Sequence, residues 1–151
     1  MFDKILVPVD LNDPTIAECA ISVARELTKL SGGSVRFVHV IDSAVIVAPM
    51  LYLPPVDFNL LAEEQKKALV ELTKTINMPA ERVSSEVRMG GVYPEVLAAA
   101  AEWKADLIII GAHRPSMATY LLGSSATAIV RHATCPVLVM RSEKSASLLS
   151  N

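Results

Sequence analysis

The stretch of sequence that decides the fold is Asp106-Leu107-Ile108-Ile109-Ile110-Gly111. Its apolar residues run without interruption, which is typical of a strand that is buried on both faces in a parallel sheet. A second short run rich in branched residues lies at positions 4–9, at the start of the chain. Both segments have the length of strands, and sheets of this kind are covered by helices on both faces.

Helical patterns fill the segments between the strand patterns. Asp13-Pro14 indicates an N-cap followed by a first helical residue, since proline loses nothing where the backbone N–H has no partner. Gly32-Gly33 ends this helix, and Gly90-Gly91 leads into another. We predict five strands at 4–9, 34–41, 83–89, 106–111 and 136–140, and four helices that begin near residues 14, 58, 92 and 124. Alternating strands and helices imply an open parallel sheet, and the polar alternation at 83–89 suits an outer strand.

Length and composition exclude several classes of protein. The 151 residues suit one domain, which we predict over 1–141, followed by a Ser-rich and disordered tail over 142–151. The longest apolar stretch, 44–56, is shorter than the ~20 residues of a membrane span and contains three prolines. We therefore expect no membrane span.

Charge and cysteine content limit the classes of partner and the cellular location that the sequence suits. The formal net charge of −2 comes from scattered residues, which argues against a nucleic-acid-binding surface. The N-terminus lacks the charged and then apolar design of a signal peptide. Cys19 and Cys135 stand alone, as reduced thiols of a cytoplasmic protein do. We therefore predict a cytoplasmic location and no binding of nucleic acid.

Two strand ends carry the residue types of a binding site. In open α/β sheets, ligands bind outside the carboxyl ends of the strands, where the strand order reverses. The first strand ends at Asp10 and the fourth at Gly111. If these strands are neighbours, the Asp10 carboxylate can accept hydrogen bonds from ribose hydroxyls, and Gly111 allows a ligand to approach the backbone closely.

Gly123-Ser124-Ser125 is the sharpest local signal for an anion. The first N–H groups of a helix have no internal partners and can bind phosphate, and the two serine hydroxyls add donors. The same tripeptide is also compatible with an ordinary helix N-cap. Together with Asp10 and Gly111, it favours a phosphate site.

At these residues the chain resembles the universal stress protein family, and the resemblance covers nearly all of it. The family's opening Ile-Leu-x-Pro-x-Asp matches residues 5–10, and its His-Val-Ile matches residues 39–41. The family's nucleotide motif is Gly, two residues, Gly, nine residues and Gly-Ser/Thr, of which Gly111 and Gly123-Ser124 match. The Pro-Val-Leu-Val strand after the motif matches residues 136–139.

The resemblance implies a fold, a cofactor and a partner. The fold is a five-stranded parallel sheet in the order 3-2-1-4-5, similar to adenine nucleotide alpha-hydrolases. The cofactor is ATP, with ADP or AMP as alternatives, and Mg²⁺ would be held through the phosphates only. Pro8 and Val40 would line the adenine pocket, Asp10 and Gly111 would hold the ribose, and the tripeptide 123–125 would hold the phosphates. The partner is a second copy paired through 136–140, besides an unidentified protein. The full set of predicted binding residues is Pro8, Val9, Asp10, Val40, Gly111, Arg114, Gly123, Ser124 and Ser125.

The sequence departs from the family motif at two points. Arg114 stands where the motif has its second glycine, and the spacer that follows has eight residues. The guanidinium of Arg114 either binds phosphate oxygens in place of a backbone N–H or lies exposed on a loop. His113 has no carboxylate nearby in sequence to orient it, so a packing or solvent-facing role is favoured over that of a catalytic base.

Three functions remain open at this point. The favoured one is a nucleotide-sensing dimer, in which ATP binding alters the loop at 112–122 and thereby a partner interface. A slow ATPase or self-phosphorylating protein would need a positioned base and a metal site, which the sequence does not display. The third is a stress-protective dimer that binds no nucleotide. The Pro-rich loop at 43–56 is either a lid or a partner surface.

Overall fold

A five-stranded parallel sheet forms the centre of the molecule, which is a computed structural model that describes residues 1–44, 57–112 and 123–141. The strands are β1 (Lys4–Pro8), β2 (Ser34–Asp42), β3 (Val83–Gly90), β4 (Leu107–Ala112) and β5 (Val137–Arg141). The α-helices in the described ranges are α1 (Glu18–Ser31), α2 (Phe58–Thr73), α3 (Val92–Trp103) and α4 (Ser124–His132). Short 3₁₀ helices lie at Pro14–Ala17, Lys74–Ile76 and Ala80–Arg82.

The strand order is β3-β2-β1-β4-β5, with all neighbours parallel, as predicted. β1 lies between β2 and β4, and its pairing with β4 sets Ile5 opposite Leu107 and Leu6 opposite Ile108. The chain runs outward in one direction from β1 to β3 and in the other from β4 to β5. The order therefore reverses between β1 and β4, so that a crevice can form at their carboxyl ends.

Two hydrophobic cores cover the two faces of the sheet. On one face, Val7 and Phe37 pack with buried residues of α1 and with Leu69 of α2. On the other face, Leu6 and Ile108 pack with residues of α3 and α4. Within β4, Leu107 and Ile109 belong to the first core and Ile108 and Ile110 to the second. This division confirms that the uninterrupted apolar run is a strand buried on both faces.

The first helical segment differs in detail from the prediction. It opens with the 3₁₀ turn Pro14–Ala17, and only then does α1 begin. The Asp13 carboxylate does not cap the backbone but accepts a hydrogen bond of 2.6 Å from the Thr15 hydroxyl. At the other end, Gly32 has a φ of 74°, a left-handed conformation that glycine adopts without a steric penalty. The predicted helix end at this glycine is confirmed.

Several predictions fall on parts of the chain outside the described residues. These are the predictions for Arg114 and His113, for nearly all of the loops at 43–56 and 112–122, and for the tail at 142–151. The single domain over 1–141 stays a prediction. Within the described ranges, no helix is both long and apolar enough to cross a bilayer.

Candidate functional site

A cleft of about 570 Å³ opens at the carboxyl edge of the sheet, between the ends of β1, β2 and β4 and the start of α4. Its volume lies in the range of about 300–1,000 Å³ that is usual for small-molecule sites. The strand order explains its position, because β1 and β4 continue into helices on opposite faces and leave a gap between them.

Eight of the nine predicted binding residues line this cleft. Three come from the end of β1, one from β2, one from β4 and three from the turn into α4, and they are Pro8, Val9, Asp10, Val40, Gly111, Gly123, Ser124 and Ser125. The ninth, Arg114, lies outside the described residues. The structure thus brings together residues that are more than 100 positions apart in sequence.

The start of α4 is open toward the cleft. Gly123 is its N-cap, with a φ of −58°, and no side chain caps the helix. The first intrahelical hydrogen bond is donated by Thr127 N–H to the Gly123 carbonyl at 2.9 Å, so the preceding N–H groups have no partner within the helix. The described chain also provides no hydrogen bond for the hydroxyls of Ser124 and Ser125. The serines therefore do not act as ordinary N-caps, and no described residue occupies the donors at this helix end.

Asp10 lies at the exposed rim of the cleft in a tight turn. Its Oδ1 accepts a hydrogen bond of 2.9 Å from Asn12 N–H, and its carbonyl accepts one of 3.1 Å from Asp13 N–H. The second carboxylate oxygen has no partner in the described chain. The turn fixes the direction of the carboxylate and leaves one oxygen for a hydroxyl group of a ligand.

The space that a side chain would find differs between Gly111 and Gly123. A Cβ at Gly111 would lie 2.0 Å from the carbonyl oxygen of Ile16, so the close approach of the protein's own backbone requires glycine there. The sequence predicted close approach of a ligand instead. A Cβ at Gly123 would meet no atom of the described residues within 4 Å, and its φ suits any residue. None of the described residues therefore requires glycine at 123.

His39 forms part of the wall of the cleft and is only 5% exposed. Its Nδ1 lies 2.9 Å from the Val9 carbonyl oxygen and 3.4 Å from the backbone N–H of Leu11. One nitrogen cannot serve both, and the shorter contact requires that Nδ1 carries the proton and donates it to Val9. His39 is thus both a buried residue and part of the wall of the cleft.

Sequence reasoning missed the part of the wall that comes from helices and turns. The strand-end rule points only to strand ends, whereas helix side chains reach the cleft through tertiary packing. Their helical periodicity is the one signal in the sequence, and it marks core residues in the same way. The missed residues that contribute side chains from these elements include Asn12, Ile16, Ala17, Leu61, Gln65, Val92 and Val96.

Among the described residues, no group of three or more His, Cys, Asp or Glu side chains could hold a metal ion. Asp10 and Asp42 both line the cleft, but the site as described offers an anion the donors of α4 rather than a metal cage. The cleft thus combines backbone N–H donors at one end with an apolar wall.

Comparison with known proteins decides the family. The family model described as the universal stress protein family matches residues 1–141. The chain belongs to this family. It is 31% identical over 143 residues to universal stress protein G of Escherichia coli O157:H7, and the alignment covers 93% of this chain and 100% of that protein.

Solved structures agree with this family in their fold. Universal stress protein UspA from Lactobacillus plantarum matches with a TM-score of 0.70 at 23% identity, over 93% of this chain and 98% of that chain. A universal stress protein in complex with cAMP matches with a TM-score of 0.61 at 20% identity, over 94% and 98%. At these identities the likeness demonstrates the fold alone.

Proposed function

We propose that this universal stress protein binds an adenine nucleotide, preferentially ATP, in the cleft and acts as a nucleotide-sensing homodimer. One observation carries the proposal: the uncapped N-terminus of α4 lines the same cleft as an apolar wall and Asp10, one of whose carboxylate oxygens has no partner among the described residues. That combination complements a phosphate chain, a ribose and a base in one molecule. The structural neighbour in complex with cAMP supports a nucleotide as the ligand, because the two chains share the fold.

Each part of the nucleotide has a group that suits it. The N–H groups at the start of α4 and the hydroxyls of Ser124 and Ser125 would bind the phosphates, at about 1.5–3 kcal/mol for each charge-assisted hydrogen bond. Asp10 would accept the ribose hydroxyls near Gly111, and Pro8, Val9 and Val40 would pack on the adenine. Mg²⁺ would be held through the phosphates. Arg114 would add a guanidinium for a phosphate oxygen.

The homodimer would form through β5. This strand is at the edge of the sheet, so one row of its backbone N–H and C=O groups faces no strand of the described chain. Leu138 is 37% exposed on it, and its neighbours Val137, Val139 and Met140 are only half-buried. An apolar edge of this kind promotes pairing with another chain unless it is covered. A second copy of the same strand would cover both edges at once.

We also propose a cytoplasmic location and a regulatory role. Cys19 and Cys135 are both free, which suits a reducing compartment. Nucleotide binding would change the segment at 112–122, which joins β4 to α4, and so change the surface that an unidentified protein partner contacts. A domain over 1–141 would carry these functions.

The first test is to denature freshly purified protein, with no nucleotide added, and to identify any released small molecule by mass spectrometry. ATP or ADP in near-stoichiometric amount would support the proposal. Titration calorimetry with ATP should then give an affinity that falls at least about tenfold in the double variant Ser124→Ala/Ser125→Ala, which is ~1.4 kcal/mol. Ser22→Ala, at an exposed position of α1, is the control and should bind like the wild type.

Two outcomes would contradict the proposal. No co-purified nucleotide and no ATP binding would favour a stress-protective dimer without a nucleotide. Multiple turnovers of ATP with Mg²⁺ would instead favour a slow ATPase.

A further inference from the structure

His39 of β2 holds the turn that follows β1. Its Nδ1–H donates to the Val9 carbonyl at 2.9 Å, and the Val9 N–H donates to the Val38 carbonyl at 2.8 Å. Val9 is therefore fixed to β2 on both sides of its Cα, by one backbone bond and by one side-chain bond. Val9 and His39 are only 4% and 5% exposed, so both bonds lie in the interior.

The hydrogen bond from His39 fixes the peptide plane that leads into Asp10. The Val9 carbonyl oxygen and the Cα of Asp10 belong to one planar peptide unit, so holding the oxygen orients the Cα. The plane on the other side of Asp10 is held by the hydrogen bond of 3.1 Å that Asp13 N–H donates to the Asp10 carbonyl. The imidazole lies against this plane as well, because Nδ1 is 3.4 Å from the Leu11 nitrogen. Both backbone dihedral angles of Asp10 are thus restrained.

The Asp10 side chain lies at the exposed rim of the cleft, where burial does not orient it. The hydrogen bond of 2.9 Å from Asn12 N–H to its Oδ1 lies within the same turn and moves with the turn. His39 is the side chain that joins this turn to β2, through the Val9 carbonyl. The position of an exposed carboxylate therefore depends on a buried histidine of the neighbouring strand.

Resting on the proposed function, we propose that His39 is a positioning residue for Asp10 and thereby sets how strongly the cleft prefers a ribose with both hydroxyl groups. An acceptor that is already held in place binds more tightly, because the ligand does not have to order the turn. Without the His39 N–H, the Val9 carbonyl is left in an interior position with no donor, and the turn must shift to reach water. The Asp10 carboxylate then shifts with the turn and loses the ribose hydroxyls.

The test compares ATP with 2′,3′-dideoxy-ATP by titration calorimetry, since the two nucleotides differ only in the ribose hydroxyls. The wild type should bind ATP at least about tenfold more tightly, as charge-assisted hydrogen bonds to Asp10 predict. His39→Leu has no donor for the Val9 carbonyl and should reduce this preference to less than about threefold. His39 also lines the cleft, but a lost contact with the base or the phosphates would weaken both nucleotides equally and cancel in the ratio.

His39→Asn is the matched rescue variant, because Asn has nearly the shape of Leu and its amide N–H can take the place of Nδ1–H. It should restore a preference within about threefold of that of the wild type. Thr28→Val is the control for a general loss of stability. Thr28 is fully buried in α1, is not among the residues that line the cleft, and donates to the Ala24 carbonyl at 2.9 Å. This control should lower the melting temperature and keep the full preference for ATP.

A folded His39→Leu variant with the wild-type preference would overturn the inference, and so would a His39→Asn variant whose preference is as low as that of His39→Leu. If His39→Leu does not fold, His39→Met takes its place, because a flexible side chain fills an irregular space. Equal binding of the two nucleotides by the wild type would contradict the ribose contact of Asp10, and the inference with it, but not nucleotide binding in the cleft. A wild type that binds neither nucleotide would overturn the proposed function as well.

Discussion

The Cβ position of Gly111 lies 2.0 Å from the carbonyl oxygen of Ile16, which is shorter than any contact that a real side chain could make. The end of β4 and the 3₁₀ turn after β1 can therefore meet only because residue 111 is glycine. Both residues line the cleft, so this contact forms part of its wall. The same glycine that suits close ligand approach is thus required by the fold itself.

Gly111→Ala should destabilise the protein by about 1–3 kcal/mol, because the added methyl group must displace backbone rather than a flexible side chain. Unfolding in urea, followed by circular dichroism, measures the free energy. Gly123→Ala is the control and should lose less than about 1 kcal/mol, the scale of an N-cap change. Equal losses in the two variants would contradict the close contact at Gly111.

Gly123→Val should weaken ATP binding at least about fivefold, or ~1 kcal/mol, while leaving the fold intact. A Cβ at this position would meet no described residue, so we expect the fold to tolerate a side chain, but that side chain would lie where the phosphates would approach the N–H groups of α4. Calorimetry measures the affinity, and thermal unfolding checks the fold. Unchanged affinity in a folded variant would argue against phosphate binding at this helix end.

Arg88 joins β3 to α3 through a cluster of ion pairs. The Arg88 side chain is 16% exposed, and its guanidinium contacts Glu86 at 2.6 Å, Glu95 at 2.7 Å and Glu102 at 2.9 Å. Arg88→Met should reduce the free energy of unfolding by about 2–4 kcal/mol, because it leaves the half-buried carboxylate of Glu95 without its partner and removes one of the two ion pairs of Glu86.

Lys74→Met is the matched control for Arg88→Met. Its ion pair with Glu71 also has a distance of 2.7 Å, but both side chains are well exposed. Removing an exposed pair should cost less than about 1 kcal/mol. A similar loss in both variants, measured by urea unfolding, would show that burial does not set the strength of the Arg88 cluster.

The Arg88 cluster should also make stability depend on pH. Hydrogen bonds from Arg88 hold the pKa of Glu102 below its ordinary value of 4.5. A carboxyl whose pKa is lower in the folded state stabilises the protein above its unfolded pKa and loses that contribution as the pH falls through the folded value. Glu102→Gln should therefore flatten the fall in unfolding free energy below about pH 4.5. An unchanged acid profile would contradict the pairing.

Leu138→Lys should dissociate the proposed homodimer, because a lysine on an exposed edge strand disfavours pairing. We expect the dimer dissociation constant to rise at least about tenfold, or ~1.4 kcal/mol, in sedimentation equilibrium. Val130→Lys is the control: Val130 is 45% exposed on α4 and lies off the edge strand. A dimer that resists Leu138→Lys but dissociates with Val130→Lys would place the interface on α4 instead.

Features that depend on residues near one another in the sequence were predicted correctly, whereas features that depend on residues far apart in the sequence were missed. Uninterrupted apolar runs such as 107–110 and turn residues such as Gly32 depend on local burial and backbone preference, so the strands and helices could be located from them. The binding residues that the sequence predicted at the strand ends and at the helix start do line one cleft, apart from Arg114, which lies outside the described residues. The wall residues Leu61 and Gln65 were missed, because α2 reaches the cleft only by packing on the sheet.

The sequence by itself determined the class of fold, the order of elements and the family, since these depend on periodicity, on turn chemistry and on motifs that are continuous in the chain. Only the tertiary structure decided that Gly111 is held against Ile16, and that the start of α4 lines the same cleft as Asp10. Both facts depend on distances between segments that are far apart in the chain. Such distances are fixed by how the helices pack on the sheet, and no local pattern encodes them.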